Sequence, residues 1–395
     1  MTARRCAAKL FLPATAMAVL GLSAAACSSS GSSTTPVQGG ALSPTPLATS
    51  LESAGATWAT IPMGNLDQPL NTFWQLFELP QGATGWSNQV QSTGVATNGG
   101  IVLASSPGGT VVAAVRPSNM LTYSPAAVTD DAGRSWSTSL VDAGLADHPD
   151  TLALGSDDAF ALAAGGDGGE QLLEGGAALG DWHRVVDQQA LADTAAGRAC
   201  GVVSLVAVAD VSGSAVVGAA CSTPGTVGVL SDGPGGWRLA GPRLPASLAR
   251  RPAEVLGLWP VDGGLDTLVA VSGGTGQEAD LVEASSAGAG QWTVSSPSAL
   301  PDGDAMASFG PTASGGVFVL ATGPRGDLLE TDSGAGTGWT VLPAPPGGTQ
   351  TVAFPAGGPA YAMAGDGTVL KVWSLAAGWS LIQTTDVPIQ FGSSS

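Results

Sequence analysis

Tryptophan recurs along this chain at an interval that few folds accommodate. Small-residue turns lead into Trp86 (ATGWSNQV), Trp136 (AGRSWSTSL), Trp182 (LGDWHRVV), Trp237 (GGWRLAG), Trp292 (GQWTVSSP), Trp339 (TGWTVLP) and Trp379 (AGWSLIQ), spaced by 50, 46, 55, 55, 47 and 40 residues. Each Trp opens a short apolar stretch, and in the best-preserved units three more apolar runs precede it: VVSLVAVAD, SAVVGAACS and TVGVLSDG before Trp237, and TVAFPAG, PAYAMAG and TVLKVWS before Trp379. Past residue 55 no segment sustains a helical period, and 58 glycines and 27 prolines punctuate the chain with turns. Three strands and then a Trp strand make a four-stranded antiparallel unit. Such a unit cannot bury both of its faces alone, so units stack and close into a ring.

The pattern predicts an all-β fold, a seven-bladed β-propeller of four-stranded antiparallel blades spanning residues 56–395. Six blades, with residues 56–90 as an appendage, is the alternative count, and a pair of β-sandwiches is the alternative fold. The first unit (TWATIP, NTFWQLFEL, GWSNQV) reads as one strand short. The C-terminal VPIQF, residues 387–391, has no partner of its own, so it is expected to join the first blade and latch the ring, removing an open sheet edge.

The N-terminus reads as a targeting segment. Arg4, Arg5 and Lys9 precede the apolar run LFLPATAMAVLGLSAAA, which ends in small residues before Cys27. Residues 1–26 thus resemble a bacterial lipoprotein signal. That resemblance implies lipidation of Cys27, export, and anchoring to the outer face of the cell membrane through the lipid alone. Ala24 stands where the family usually has leucine. Residues 27–55 follow as a Ser/Thr/Pro/Gly-rich tether. Export suits the cysteine count: Cys6 leaves with the signal, Cys27 carries lipid, and Cys200 and Cys221 remain at the open end of a predicted hairpin, poised for a disulfide. Only Lys9 and Lys371 are lysines and the formal net charge is −18, a poor match for nucleic acid or anionic lipid headgroups.

The stretch TDDAGRSW gathers more polar chemistry than any other. Thr129, Asp131, Gly133, Ser135 and Trp136 fit the Ser/Thr-x-Asp-x-Gly-x-Ser/Thr-Trp pattern, and SDGPGGW (231–237) and TDSGAGTGW (331–339) are worn copies. The pattern resembles the Asp-box, or bacterial-neuraminidase repeat, of sialidase-like propellers. In that family the box is a structural turn between a blade's third and fourth strands, on the outer rim. Composition and repeat style also resemble envelope lipoproteins of high-GC actinobacteria.

Sialidase chemistry as the resemblance implies it requires an arginine triad that grips a carboxylate and a tyrosine nucleophile. The nearest candidates are Tyr361, Arg116, Arg198 and Arg325, none of them in a matching motif. The favoured expectation is a monomeric, non-catalytic binding or assembly module for an envelope glycan or protein. Its candidate surface lies in the long connections 141–150 (VDAGLADHPD), 187–200 (DQQALADTAAGRAC) and 241–254 (GPRLPASLARRPAE). These carry Arg198, Arg243, Arg250 and Arg251 and hint at an anionic partner. No cofactor is expected. A Ca²⁺ loop at GGDGGE (165–170) and a metal site at Asp147, His148 and Asp150 are weaker readings than solvated turns.

Overall fold

The computed structural model describes residues 47–388 apart from 54, 67–71, 90–96, 98, 116–123, 142–148, 166–168, 262, 274–276, 288–289, 335 and 337. Within them, seven consecutive four-stranded antiparallel units follow one another. Blade 1 is β1 (Thr49–Ser53), β2 (Ala56–Gly64), β3 (Thr72–Pro80) and β4 (Ser87–Gln89); blade 2 is β5 (Ile101–Ser105), β6 (Val111–Val115), β7 (Ser124–Thr129) and β8 (Ser137–Val141). Blade 3 is β9 (Pro149–Leu154), β10 (Asp158–Ala164), β11 (Glu170–Gly176) and β12 (His183–Asp187). Two short helices, α1 (Gln188–Ala192) and α2 (Ala195–Cys200), lead to blade 4: β13 (Val202–Asp210), β14 (Ala215–Cys221), β15 (Gly228–Ser231) and β16 (Arg238–Leu239). Blade 5 is β17 (Ala253–Val261), β18 (Gly264–Ser272), β19 (Gln277–Ser286) and β20 (Trp292–Val294), with β21 (Ser298–Pro301) also paired to β19. Blade 6 is β22 (Ala305–Pro311), β23 (Val317–Thr322), β24 (Leu328–Asp332) and β25 (Trp339–Leu342); blade 7 is β26 (Thr351–Ala353), β27 (Ala360–Asp366), β28 (Val369–Leu375) and β29 (Trp379–Asp386).

The second strands explain why the sequence shows apolar runs instead of alternation. VVAAV of β6 and AVVGAAC of β14 are buried at every position, because each lies between two neighbouring sheets. Outer strands face water, as β29 does with no residue buried. Small residues let the sheets approach: a Cβ added to Gly218 would sit 2.5 Å from Val255 of the next blade.

Seven apolar clusters fill the seven seams, and each holds one of the recurring tryptophans. Trp136 joins Trp58 and Val111 between blades 1 and 2. Trp182 joins Leu152 and Val112 between 2 and 3, and Trp237 joins Phe160 and Leu230 between 3 and 4. Trp292 serves the seam 4–5, Trp339 the seam 5–6 and Trp379 the seam 6–7. Trp86 closes the ring between blades 7 and 1, packed with Phe77, Tyr361 and Met363. Each Trp sits at or just before its own fourth strand and reaches toward the preceding blade. Trp292 and Trp379 donate their indole N–H groups to Ala240 O and Pro343 O of that blade, at 2.7 and 2.9 Å.

Ring closure differs from the sequence expectation. Blade 1 is complete without the C-terminus: β1 supplies its inner strand, from within residues assigned to the tether, so the folded domain begins before residue 56. The segment TSLES reads as polar, yet Ser50 is buried and donates to Val352 O of blade 7 at 2.9 Å. Of the expected latch 387–391, Val387 and Pro388 lie beyond the last strand, and 389–391 fall outside the described residues. Val387 instead buries its side chain in the closing seam while its N–H donates to Thr368 O. Gly64 N–H donates to Gly367 O at 2.7 Å, and Gln383 exchanges two bonds with the Trp86 backbone.

The hairpin expected between the cysteines is β13–β14. Val202 faces Cys221 in register, and Cys200, at the end of α2, is bonded to Cys221.

Candidate functional site: the central channel

The inner strands β1, β5, β9, β13, β17, β22 and β26 surround the ring's centre. On one side the centre is closed: β1 rests on β22 and β26, where Ser308 donates to Ala48 O at 2.8 Å and lies 2.7 Å from the Thr351 hydroxyl. The remaining space, walled mainly by blades 2 to 6, is a cavity of about 1020 Å³. It runs the length of the inner strands, from Asp150 and Glu254 near their starts to Trp259–Val261 and Thr312 at their far ends.

Its lining is chemically one-sided. Glu52, Asp150, Glu170, Glu254 and Asp266 contribute carboxylates, and Thr151, Ser204, Ser106 and Thr312 contribute hydroxyls. Trp259, Phe309 and Phe354 contribute aromatic surface, with Trp259 edge-on to Phe309 at 6.3 Å. Trp259 lies across Gly257, where a Cβ would sit 2.3 Å from its ring, so the glycine makes room for the indole. No Lys, Arg, His or Tyr lines the cavity among the described residues.

The acids differ in state. Glu52 accepts the Ala356 N–H at 2.8 Å, and Asp266 accepts from Ser285 Oγ at 2.6 Å and from Gly316 N at 3.4 Å. Glu254 is 8% exposed, and burial pushes its carboxyl up to about 7. Behind Asp266, outside the channel, Glu283 is fully buried with both carboxyl oxygens lacking a donor among the described residues. Burial first, then Asp332 and Asp266, raise it to about 8.

TDDAGRSW forms the turn between β7 and β8, away from the channel. Asp131 accepts Ser135 Oγ at 2.6 Å, Ser135 N at 2.9 Å and Thr129 Oγ1 at 2.9 Å, and the Ser135 hydroxyl above all holds its carboxyl down to about 2. Gly133 takes a φ of +78°, and its missing Cβ leaves space for the Trp58 ring. Trp136 meets Trp58 edge-on at 5.7 Å. The carboxylate thus serves its own backbone.

The sialidase-type groups are not brought together. Tyr361 is packed edge-on against Trp86 in the seam 7–1 and buried, away from the cavity. Arg325 is exposed in the turn between β23 and β24, Arg198 is exposed on α2 and donates to Asp193 O, and Arg116 lies outside the described residues. The arginine-bearing connections also read differently in three dimensions. Arg243 and Arg250 are exposed and off the channel, while Arg251 is ion-paired with Asp280. What these connections send into the channel is their last residues: Asp150 ends 141–150 and Glu254 ends 241–254. The arginines of these connections therefore do not line the channel. Asp147, His148 and residues 166–168 fall outside the described residues, and among those described no three His, Cys, Asp or Glu side chains group to hold a metal ion.

Fold and site define an all-β, seven-bladed propeller with an acidic, aromatic-bearing central channel. Solved structures of like fold include the BP39L lectin from Burkholderia pseudomallei (15% identity over 86% of this chain and 98% of that one, TM-score 0.51) and a protein from Lactobacillus plantarum (12%, 84% and 96%, TM-score 0.50). A fucose-specific lectin from Aleuria aurantia matches less well (14%, 78% and 96%, TM-score 0.45). These likenesses show the fold. No family model and no curated protein matches the chain.

Proposed function

We propose that the protein is exported, anchored at the outer face of the cell membrane through lipidated Cys27, and holds an envelope glycan in its central channel without turning it over. One observation carries this reading: the wall combines five carboxylates and several hydroxyls with Trp259, Phe309 and Phe354, and no cation among the described residues. Sugar hydroxyls donate well to carboxylates, and the C–H face of a pyranose packs on aromatic rings. A carboxylate-bearing sugar would meet only like charge in such a wall. The lectin nature of the Burkholderia pseudomallei neighbour supports the reading as analogy of fold.

The test applies full-length protein to immobilised neutral, amine-bearing and sialylated glycans and then analyses the glycans for cleavage. Retention without product is expected. Product release, or retention confined to sialylated glycans, contradicts the proposal. For the anchor, Cys27→Ser is expected to move the protein out of the membrane fraction, and unchanged retention there contradicts it.

A further inference from the structure

Glu254 is a channel acid to which the described residues supply no donor. It begins the inner strand β17, where its backbone pairs with Ala270 on one side and Ala220 on the other. The residue is 8% exposed, and its side chain lines the cavity and accepts nothing from the described residues. Glu52 and Asp266 by contrast each have a backbone donor. A buried carboxyl without a donor destabilises the fold it sits in, so its presence on a cavity wall points to a donor from outside.

The surroundings select the kind of donor. Among the charged groups of the strands packed on β17, Asp210 lies at the far end of β13, Asp266 at the far end of β18, and Glu283 behind it on β19. Arg251, three residues before Glu254, is held by Asp280. No cation among the described residues therefore offsets Glu254, and the other acids of the wall give the enclosed space one sign of potential. Within the glycan reading, on which this inference rests, we propose that Glu254 anchors a positively charged ammonium group, so that the channel prefers a glycan bearing free amines over its N-acetylated or unsubstituted counterpart.

Calorimetric titration of the full-length protein at about pH 7, near the value to which burial raises Glu254, tests this with four probes: a β-1,4 glucosamine oligomer, the same oligomer N-acetylated, a neutral hexose oligomer, and spermidine. The free-amine oligomer is expected to bind at least about ten-fold more tightly than the acetylated one, the usual scale of a charge-assisted hydrogen bond. Glu254→Gln, which keeps the shape, is expected to abolish that preference, so that the free-amine and acetylated oligomers bind alike. Val206→Trp, which narrows the channel from β13, is expected to weaken both. Equal affinity for the two oligomers overturns the inference and leaves the glycan reading standing. Spermidine binding that Glu254→Gln abolishes, with no sugar bound, upholds the anchoring role of Glu254 and overturns the glycan reading. An amine preference that survives Glu254→Gln, or no binding of any probe, overturns the inference.

Discussion

Glu283→Gln isolates a buried acid whose state depends on pH. Glu283 sits on β19 with no solvent exposure and no donor to either oxygen among the described residues, and burial together with Asp332 and Asp266 raises it from 4.5 to about 8. An acid raised in this way ionises less readily in the folded than in the unfolded chain. Below about pH 4.5 both states hold the proton and there is no penalty. As pH rises, the unfolded chain sheds the proton first, so stability falls until pH passes the folded value near 8. Linkage puts the loss at about 3 kcal/mol between about pH 5 and about pH 8. The Gln variant keeps the volume, leaves its amide as poorly partnered as the acid, and removes the titration. Urea unfolding of both proteins across this range is the assay. The variant is expected to lie near the parent at the acid end and to gain on it steadily, ending about 3 kcal/mol more stable. A difference that stays constant with pH would refute the argument, because Glu283 would then ionise alike in both states.

Three further outcomes follow from the packing. A chain beginning at residue 56 lacks β1 and leaves Ser308 and Thr351 without their cover; it is expected to unfold at markedly lower urea than one beginning at 47, and equal midpoints would contradict the role given to β1. Trp136→Ala removes the half-buried ring that meets Trp58 and should cost about 2 kcal/mol by urea unfolding, with any carbohydrate binding unchanged. Replacing Cys200 and Cys221 together by Ala reopens a loop of sequence separation 21 and should cost about 3 kcal/mol, read the same way against the oxidised parent.

The fold was largely legible because its repeat is carried by seven tryptophans, each committed to one seam. The disulfide was legible from two cysteines flanking an apolar hairpin. β1 was not: TSLES is five residues long, polar, and embedded in Ser/Thr/Pro-rich sequence; it pairs with β2, and it is held from far along the chain, where Ser308 donates to the adjacent Ala48 O and Val352 O accepts from Ser50. The channel was legible even less. Its lining comes mainly from residues on or beside the inner strands of all seven blades, a property of ring geometry that no local pattern carries. The long connections carry arginines, conspicuous in an acidic chain, yet Arg198, Arg243 and Arg250 stay outside while Glu254 and Asp150 at the connections' ends line the channel. TDDAGRSW, the most conspicuous motif, is a turn whose carboxylate is satisfied locally.

The central claim is that binding takes place inside the ring. Hydrogen–deuterium exchange of the full-length protein, with and without a saturating glycan from the panel, locates it directly. Protection is expected on the inner strands β13 and β17 and at Thr312–Gly316, and Val206→Trp is expected to abolish it. Protection confined to the rim around Arg198, Arg243 and Arg250, and persisting in Val206→Trp, would contradict the account.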